Sequence, residues 1–435
     1  MSHRGGRRLQ VGSLTRVEGE AALRVAVRDG AVENVELNIY ELPRFFEALL
    51  RGRAHTEPPD ITARICGICP VAYQMSACQA IEAACGVTVE GPLAQLRRLL
   101  YWGEWVESHT LHVYLLHAPD FLRLPDALTL ARDRRPLVER GLRLKKAGNA
   151  IVEILGGRAI HPVNVRLGGF YRLPTREELA GLRTQLAAAL DDAVETVRWV
   201  AGFDFPEREL RADFLALHDP GRYAVDSGVL RTSDGLGGGS EFGVAEFGAH
   251  VVEHQVPHST ALHATLDGRR YVTGPLARYA LNSAWLSPTA RALADEAGLG
   301  AECRNPFRSI VVRSVEVVHA VEDALRILDA YRAPDRAHVD VPPRAGLGHG
   351  ATEAPRGVLH HRYRLDADGT ILAATIVAPT SQNQNAIEAD LTELVAAHLH
   401  LDDAELTRLC EQAIRNYDPC ISCAAHFLDL TVDRS

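Results

Sequence analysis

Lysine is nearly missing from this chain. Of its 47 basic residues only Lys145 and Lys146 are lysine, so arginine carries almost all the positive charge, a mark of coding bias rather than of a task. Positive charge is itself in the minority. The 56 Asp and Glu residues leave a net charge of −9, which argues against a nucleic-acid partner or an anionic membrane surface. No apolar run reaches the roughly 18 residues of a membrane-spanning helix, and residues 1–8 are basic without the apolar stretch of a signal peptide. There is no internal repeat and no Gly-x-Gly-x-x-Gly turn opening a βαβ unit, so an autonomous dinucleotide-binding domain is not expected. The run Gly235-Leu236-Gly237-Gly238-Gly239-Ser240 lacks the lysine and helix start of a phosphate cradle and reads as a flexible turn. The expectation is a soluble, cytoplasmic protein.

What the chain does have is core. Its 435 residues are 46% hydrophobic, enough for one large domain or two to three ordinary ones. Alternation over Ala21–Val27 and Ala31–Ile39 predicts two strands joined at Asp29-Gly30. Helical patterns then dominate: about Thr62 to Cys85 with Gly86 as the stop, and about Leu93 to His117 ending before Pro119. A third starts at the Thr175/Glu178 capping box and reaches about Val200. Residues 215–274 read as short strands and loops of a peripheral lobe. Helices resume near Pro275, with a long one from about Pro306 to Tyr331. Residues 334–350 read as a Pro/Gly connector, 362–377 as a hairpin turning at Asp368-Gly369, and 384–400 and 402–416 as final helices.

Eight cysteines fit a reducing compartment. Four form two Cys-x-x-Cys pairs near opposite ends, Cys66/Cys69 and Cys420/Cys423. A spacing of three places both sulfurs on one helical face or one turn, where one soft metal can take both. On spacing alone a structural zinc and a redox or catalytic metal are equally supported, with unrelated buried thiols the remaining alternative. Cys78, Cys85, Cys303 and Cys410 are scattered and read as small buried hydrophobes. His109, His112 and His117 share a predicted helix and read as core or surface residues, with His109 a candidate hydrogen-bond partner around a metal site; Trp102 and Trp105 read as core.

The flanking residues extend the pattern. Arg64-Ile65-Cys66-Gly67-Ile68-Cys69-Pro70 and Asp418-Pro419-Cys420-Ile421-Ser422-Cys423-Ala424-Ala425-His426 resemble the two signature motifs of the large, catalytic subunit of [NiFe] hydrogenases. Leu14-Thr15-Arg16-Val17-Glu18-Gly19, Arg44-Phe45-Phe46-Glu47 with Gly52-Arg53, Gly274-Pro275-Leu276-Ala277-Arg278, Glu353-Ala354-Pro355-Arg356-Gly357 and Ala378-Pro379-Thr380-Ser381-Gln382-Asn383 are similar to further blocks of that family, in the family's order. The details resemble its cytoplasmic, bidirectional, NAD(P)-coupled branch.

The resemblance implies a mainly α fold with small peripheral β-sheets around a central helical bundle, as a single domain over residues 1–435. It implies Cys66 and Cys420 as terminal nickel ligands, and Cys69 and Cys423 as bridges from nickel to an iron that also carries carbonyl and cyanide. Arg356 would face the cyanides and the open bridging position, Thr380 beside Pro379 would donate to a cyanide, and Asp418 would hold Arg356 or orient the second pair. Glu47, His426 and the carbonyl of Ile376 would bind magnesium or a similar ion. Cleaving H2 would need a base, with Cys420 as first proton stop and Glu18 as relay. Tyr73 stands where many relatives carry histidine; it still donates a hydrogen bond but cannot shuttle a proton near neutral pH. With no iron–sulfur cysteines left, the implied electron partner is a small iron–sulfur subunit, with diaphorase-type NAD(P)-binding subunits beyond it. A maturation endopeptidase would remove 427–435 after His426, the alternative being a tail that is never cut. The rival expectation is a non-catalytic complex I-like scaffold or a structural zinc protein.

Overall fold

A long buried helix and an amphipathic one set the frame, and glycines decide how closely it packs. The computed structural model describes residues 7–42 and 45–425. The Gly91–Leu111 helix buries Tyr101, Trp102 and Trp105 completely and packs on the Arg135–Gly156 helix through Gly103 and Gly148. A Cβ at Gly148 would lie 2.8 Å from the Gly103 carbonyl oxygen, so only glycine permits this approach. The Ser309–Ala330 helix then lies against both Gly91–Leu111 and Arg176–Ala201. Thr175 and Glu178 form the expected reciprocal cap at the start of the latter. These four helices are the central bundle.

Small sheets surround it. Strands Arg7–Val11, Ala21–Arg28 and Ala31–Ile39 form an antiparallel meander. One short hairpin lies at 165–170, before the Arg176–Ala201 helix, and a four-stranded sheet with a second hairpin occupies 213–272. A second antiparallel meander, Gly346–Ala354, Gly357–Leu365 and Ile371–Val377, leans on the Pro70–Cys85 helix. The Pro379–Ala397 and Asp403–Asn416 helices follow, the latter capped by Asp402.

Several boundaries differ from the sequence reading. The helix expected from residue 384 starts at Pro379, and the strand expected from 362 starts at Gly357. Three further differences have a physical cause. The helix expected from Thr62 is split into Pro58–Thr62 and Pro70–Cys85, and the first cysteine motif occupies the break. Pro70 has no N–H to give to a preceding turn, so a helix starts there instead of passing through. Gly86 does end it, at φ 72°. The helix expected to stop before Pro119 runs through a π-helical segment, His112–His117, into a last turn, Ala118–Phe121, that takes the proline near its start. The connector ends early because Gly346–Ala354 is a strand. Its Gly346, Gly348 and Gly350 read as loop punctuation, yet they face the Pro70–Cys85 helix backbone; a Cβ on Gly348 would lie 1.9 Å from the Ala80 carbonyl oxygen. They are packing residues.

Gly348→Ala is therefore expected to destabilise the protein by about 2–3 kcal/mol through overpacking, read as a lowered melting temperature of the full chain. Leu347→Ala, on the exposed face of the same strand, should leave it within about 0.5 kcal/mol.

Candidate metal centre

The four sulfurs meet. Cys66, Cys69, Cys420 and Cys423 are all buried, and their Sγ atoms lie within 4.8 Å of one another. Cys66 Sγ is 3.4 Å from Cys420 Sγ, Cys69 Sγ is 3.5 Å from Cys423 Sγ, and the second pair is separated by 2.8 Å.

Each pair is positioned by a helix start. Cys69 immediately precedes Pro70, and the first free N–H groups of that helix, Val71 and Ala72, are taken by Glu104 at 2.6 and 3.1 Å. Cys66 accepts the Ile68 N–H at 3.3 Å, so this motif is a turn and not a helical face. Cys420 caps a single helical turn, Ile421–Ala424. That turn is held from two directions. Thr380 Oγ1 accepts the Cys420 N–H at 3.0 Å, and Pro379 opens the helix that presents it. From the N-terminal side, Glu18 accepts Ile421 N–H on its carbonyl at 3.0 Å and Ser422 N–H on Oε2 at 3.0 Å. Glu18 Oε2 also lies 3.0 Å from Cys420 Sγ. Next to it, a Cβ on Gly19 would sit 2.7 Å from Ile421 Cβ, and its φ of +87° is glycine's region.

Arg356 is 2% exposed. Its Nε donates to the Asp418 carbonyl at 2.9 Å and its Nη2 to Asp418 Oδ1 at 3.3 Å. Its Nη1 is buried with no hydrogen-bond partner among the described residues. Burial opposes its charge, but Asp418 and the thiolates of Cys420, Cys69 and Cys66 hold it firmly protonated. Hydrogen bonds from Cys420, Cys423 and Cys69 lower the Cys66 thiol well below the usual range, whereas burial pushes Cys420 well above it. One thiolate is thus stabilised by its neighbours; ionising all four requires a cation. A closed set of four soft donors beside an unpartnered guanidinium N–H fits a thiolate-bound metal carrying an anionic ligand.

Other expected residues fall as follows. Glu47 and Ile376 are brought together, the Ile376 N–H donating to Glu47 Oε1 at 2.6 Å, and burial pushes the Glu47 carboxyl up to about 7. His426, their expected companion, lies outside the described residues, as does Arg44. Tyr73 is buried beside His361, ring centroids 5.7 Å apart, with no hydrogen-bond partner for its hydroxyl among the described residues. His109 places Nε2 3.0 Å from Glu316 Oε2, within the buried Glu316–Arg278–Glu353 set. Sequence reasoning missed Glu104, whose role depends on two helices meeting and leaves no local signal. It also missed Glu253, a carboxyl pushed up to about 8 by burial and by nearby Glu47, which accepts the Ser381 hydroxyl at 3.1 Å.

Comparison with known proteins decides the family. The profile described as nickel-dependent hydrogenase matches residues 44–135 and 267–426. The chain belongs to the nickel-dependent hydrogenase family. It is a catalytic large subunit of the [NiFe] type. It is 33% identical to the alpha subunit of sulfhydrogenase 1 of Pyrococcus furiosus over 97% of this chain and 98% of that one. To the matching component of an F420-non-reducing hydrogenase of Methanothermobacter thermautotrophicus it is 30% identical, over 97% and 95%. Among solved structures, an NAD+-reducing [NiFe]-hydrogenase in the H2-reduced state superposes with a TM-score of 0.89 at 26% identity, covering 97% of this chain and 99% of that one. The [NiFeSe] hydrogenase of Desulfomicrobium baculatum shares the fold, with a TM-score of 0.79 at 21% identity over 97% and 100%. The mainly helical architecture expected from the sequence is thus that of the hydrogenase large subunit.

Asp418→Ala strips the buried Arg356 of its counter-charge and is expected to cost about 3–5 kcal/mol, read as a fall in the denaturation midpoint. Asp418→Asn keeps a hydrogen-bond acceptor at Oδ1 and should cost less.

Proposed function

We propose that this large subunit works in the cytoplasm, interconverting H2 with two protons and two electrons, and that the electrons leave through a small iron–sulfur subunit toward NAD(P). The observation that carries the proton chemistry is Glu18 Oε2 at 3.0 Å from Cys420 Sγ inside a closed four-thiol site. Cys66 and Cys420 would hold nickel terminally, and Cys69 and Cys423 would bridge it to an iron bearing carbonyl and cyanide. When bound, the metal pair supplies the electron-pair acceptor that lets H2 break heterolytically.

The protein's own residues do the rest. Cys420 Sγ takes the proton and passes it to Glu18, already in hydrogen-bond contact. The unpartnered Nη1 of Arg356 would be free to donate to an anionic ligand of the iron, while Asp418 fixes the guanidinium plane. Thr380 serves as a positioning residue through its bond to the Cys420 N–H. Glu47, the Ile376 carbonyl and His426 would hold a magnesium-class ion. Tyr73 packs against His361 near the centre, His109 bonds Glu316 behind it, and Pro379 sets the helix that carries Thr380. Burial of all four thiols excludes bulk water from the site.

Electron exit needs a partner because Cys78, Cys85, Cys303 and Cys410 are each buried and join no metal-ligating group among the described residues. An apolar face with Ile160, Val163 and Tyr171 exposed lies where His161 bonds the Ala63 carbonyl, next to the first cysteine motif, and suits the small subunit. The likeness to an NAD+-reducing enzyme supports NAD(P) as acceptor, on a further, diaphorase-type subunit. We also infer that residues 1–435 form one domain and that an endopeptidase removes 427–435.

The test is Glu18→Gln in the matured complex. H2-dependent activity should fall by about 10²- to 10⁴-fold, with nickel and iron content and the carbonyl and cyanide infrared bands unchanged. Loss of metal or of those bands would instead make Glu18 a prop for the Cys420 turn, and a wild-type complex showing zinc without such bands would sink the hydrogen chemistry.

A further inference from the structure

A second cluster of ligand-type side chains lies away from the cysteines. Strands Val251–His254 and His263–Leu266 form a hairpin in which His254 and His263 are directly paired. The loop between them carries His258. It is pinned by Thr260, whose N–H and hydroxyl both donate to the Ile39 carbonyl, at 2.8 and 3.0 Å. Opposite stands Glu388 on the Pro379–Ala397 helix, its Oε1 held by the Leu37 N–H at 2.8 Å. His258 Nε2 is 2.7 Å from Glu388 Oε1, and one ligand atom from each of His258, His263 and Glu388 lies within 4.8 Å of the others.

The decisive atom is His263 Nε2. The residue is 4% exposed, and this nitrogen is buried with no hydrogen-bond partner among the described residues. The nearest carboxylate oxygen, Glu388 Oε2, is 3.9 Å away, too far to accept a hydrogen bond yet on the side where a cation between them would sit. Burial, with His258 and His254 nearby, pushes the His263 imidazole down to about 4. At neutral pH it is uncharged and keeps a lone pair.

We propose that His258, His263 and Glu388 form a second metal site, for a divalent first-row transition ion of the zinc class. Two imidazoles and a carboxylate without sulfur select such an ion over magnesium or calcium, which take oxygen ligands. Donors about 2.1 Å from one tetrahedral ion lie about 3.4 Å apart, and these ligand atoms lie within 4.8 Å of one another, so rotation of the side chains by about an ångström closes the set. Three protein ligands leave room for water or for His254, whose ring centroid is 5.9 Å from that of His263. The site joins the hairpin to the helix whose first turn carries Thr380, the acceptor for Cys420 N–H. It therefore ties a surface loop to the support of the cysteine centre.

The test is equilibrium dialysis of the matured complex against micromolar zinc with millimolar magnesium, followed by zinc X-ray absorption. In the complex the cysteines already hold their own metals. Expected is one zinc per large subunit in a shell of nitrogen and oxygen, with affinity lowered at least tenfold in His263→Ala, His258→Ala and Glu388→Gln. Should His263→Ala fail to fold, the partly exposed His258 and the near-isosteric Glu388→Gln decide. Zinc stoichiometry unchanged in those variants, a sulfur-containing shell, or no zinc taken up by the wild type would each overturn the proposal.

Discussion

Four sulfur atoms from opposite ends of the chain must be packed together out of water, and the rest of the molecule is organised around meeting that demand. Thiols brought this close repel one another once ionised, so the geometry has to be imposed by the backbone. The N-terminal segment does this directly. Glu18 touches the second cysteine turn through its carbonyl and its carboxylate at once. Close by, Arg415 donates to the Thr15 carbonyl at 2.9 Å and to Asp120 at 2.9 Å, while Asp120 also pairs with Arg16. Residues near 15, 120 and 415 are thereby locked around one buried carboxylate.

The buried ion pairs are better understood as registration than as stabilisation. Taking Arg278, Glu316 and Glu353 out of water costs about as much as their attraction returns. What the set fixes is position: Arg278 reaches Glu316 at 2.8 Å and the Ala354 and Pro355 carbonyls at 3.0 Å, two residues or fewer before Arg356. The guanidinium that faces the thiols is thus held in place by another guanidinium behind it.

Much of this was legible in the sequence, and the reason differs from place to place. The cysteine pairs, Glu18, Arg356, Thr380 and Asp418 stand in motifs with enough fixed neighbours to be read, and the structure does bring them together. The strand pair 21–39 and the cap at Thr175 announce themselves through alternation and local side-chain chemistry. The strand at 346–354 did not, because its glycines are set by the helix they touch and not by their own conformation. Glu104 stayed hidden for a like reason: its partners, Val71 and Ala72, belong to another helix. The break at Pro70 was readable, but the apolar run behind it suggested continuity.

The scarcity of lysine acquires a meaning inside the molecule that composition alone does not disclose. The most deeply buried cations among the described residues are Arg278, Arg313, Arg356 and Arg415, none more than 2% exposed. An ammonium so deeply buried readily gives up its proton, whereas a guanidinium keeps it; even Arg313, brought down by burial to about 10, stays charged at neutrality. The positive charge of Arg356 beside the thiols is consequently a constant of the fold. Any titration at the centre reports its acids and sulfurs against a fixed electrostatic background.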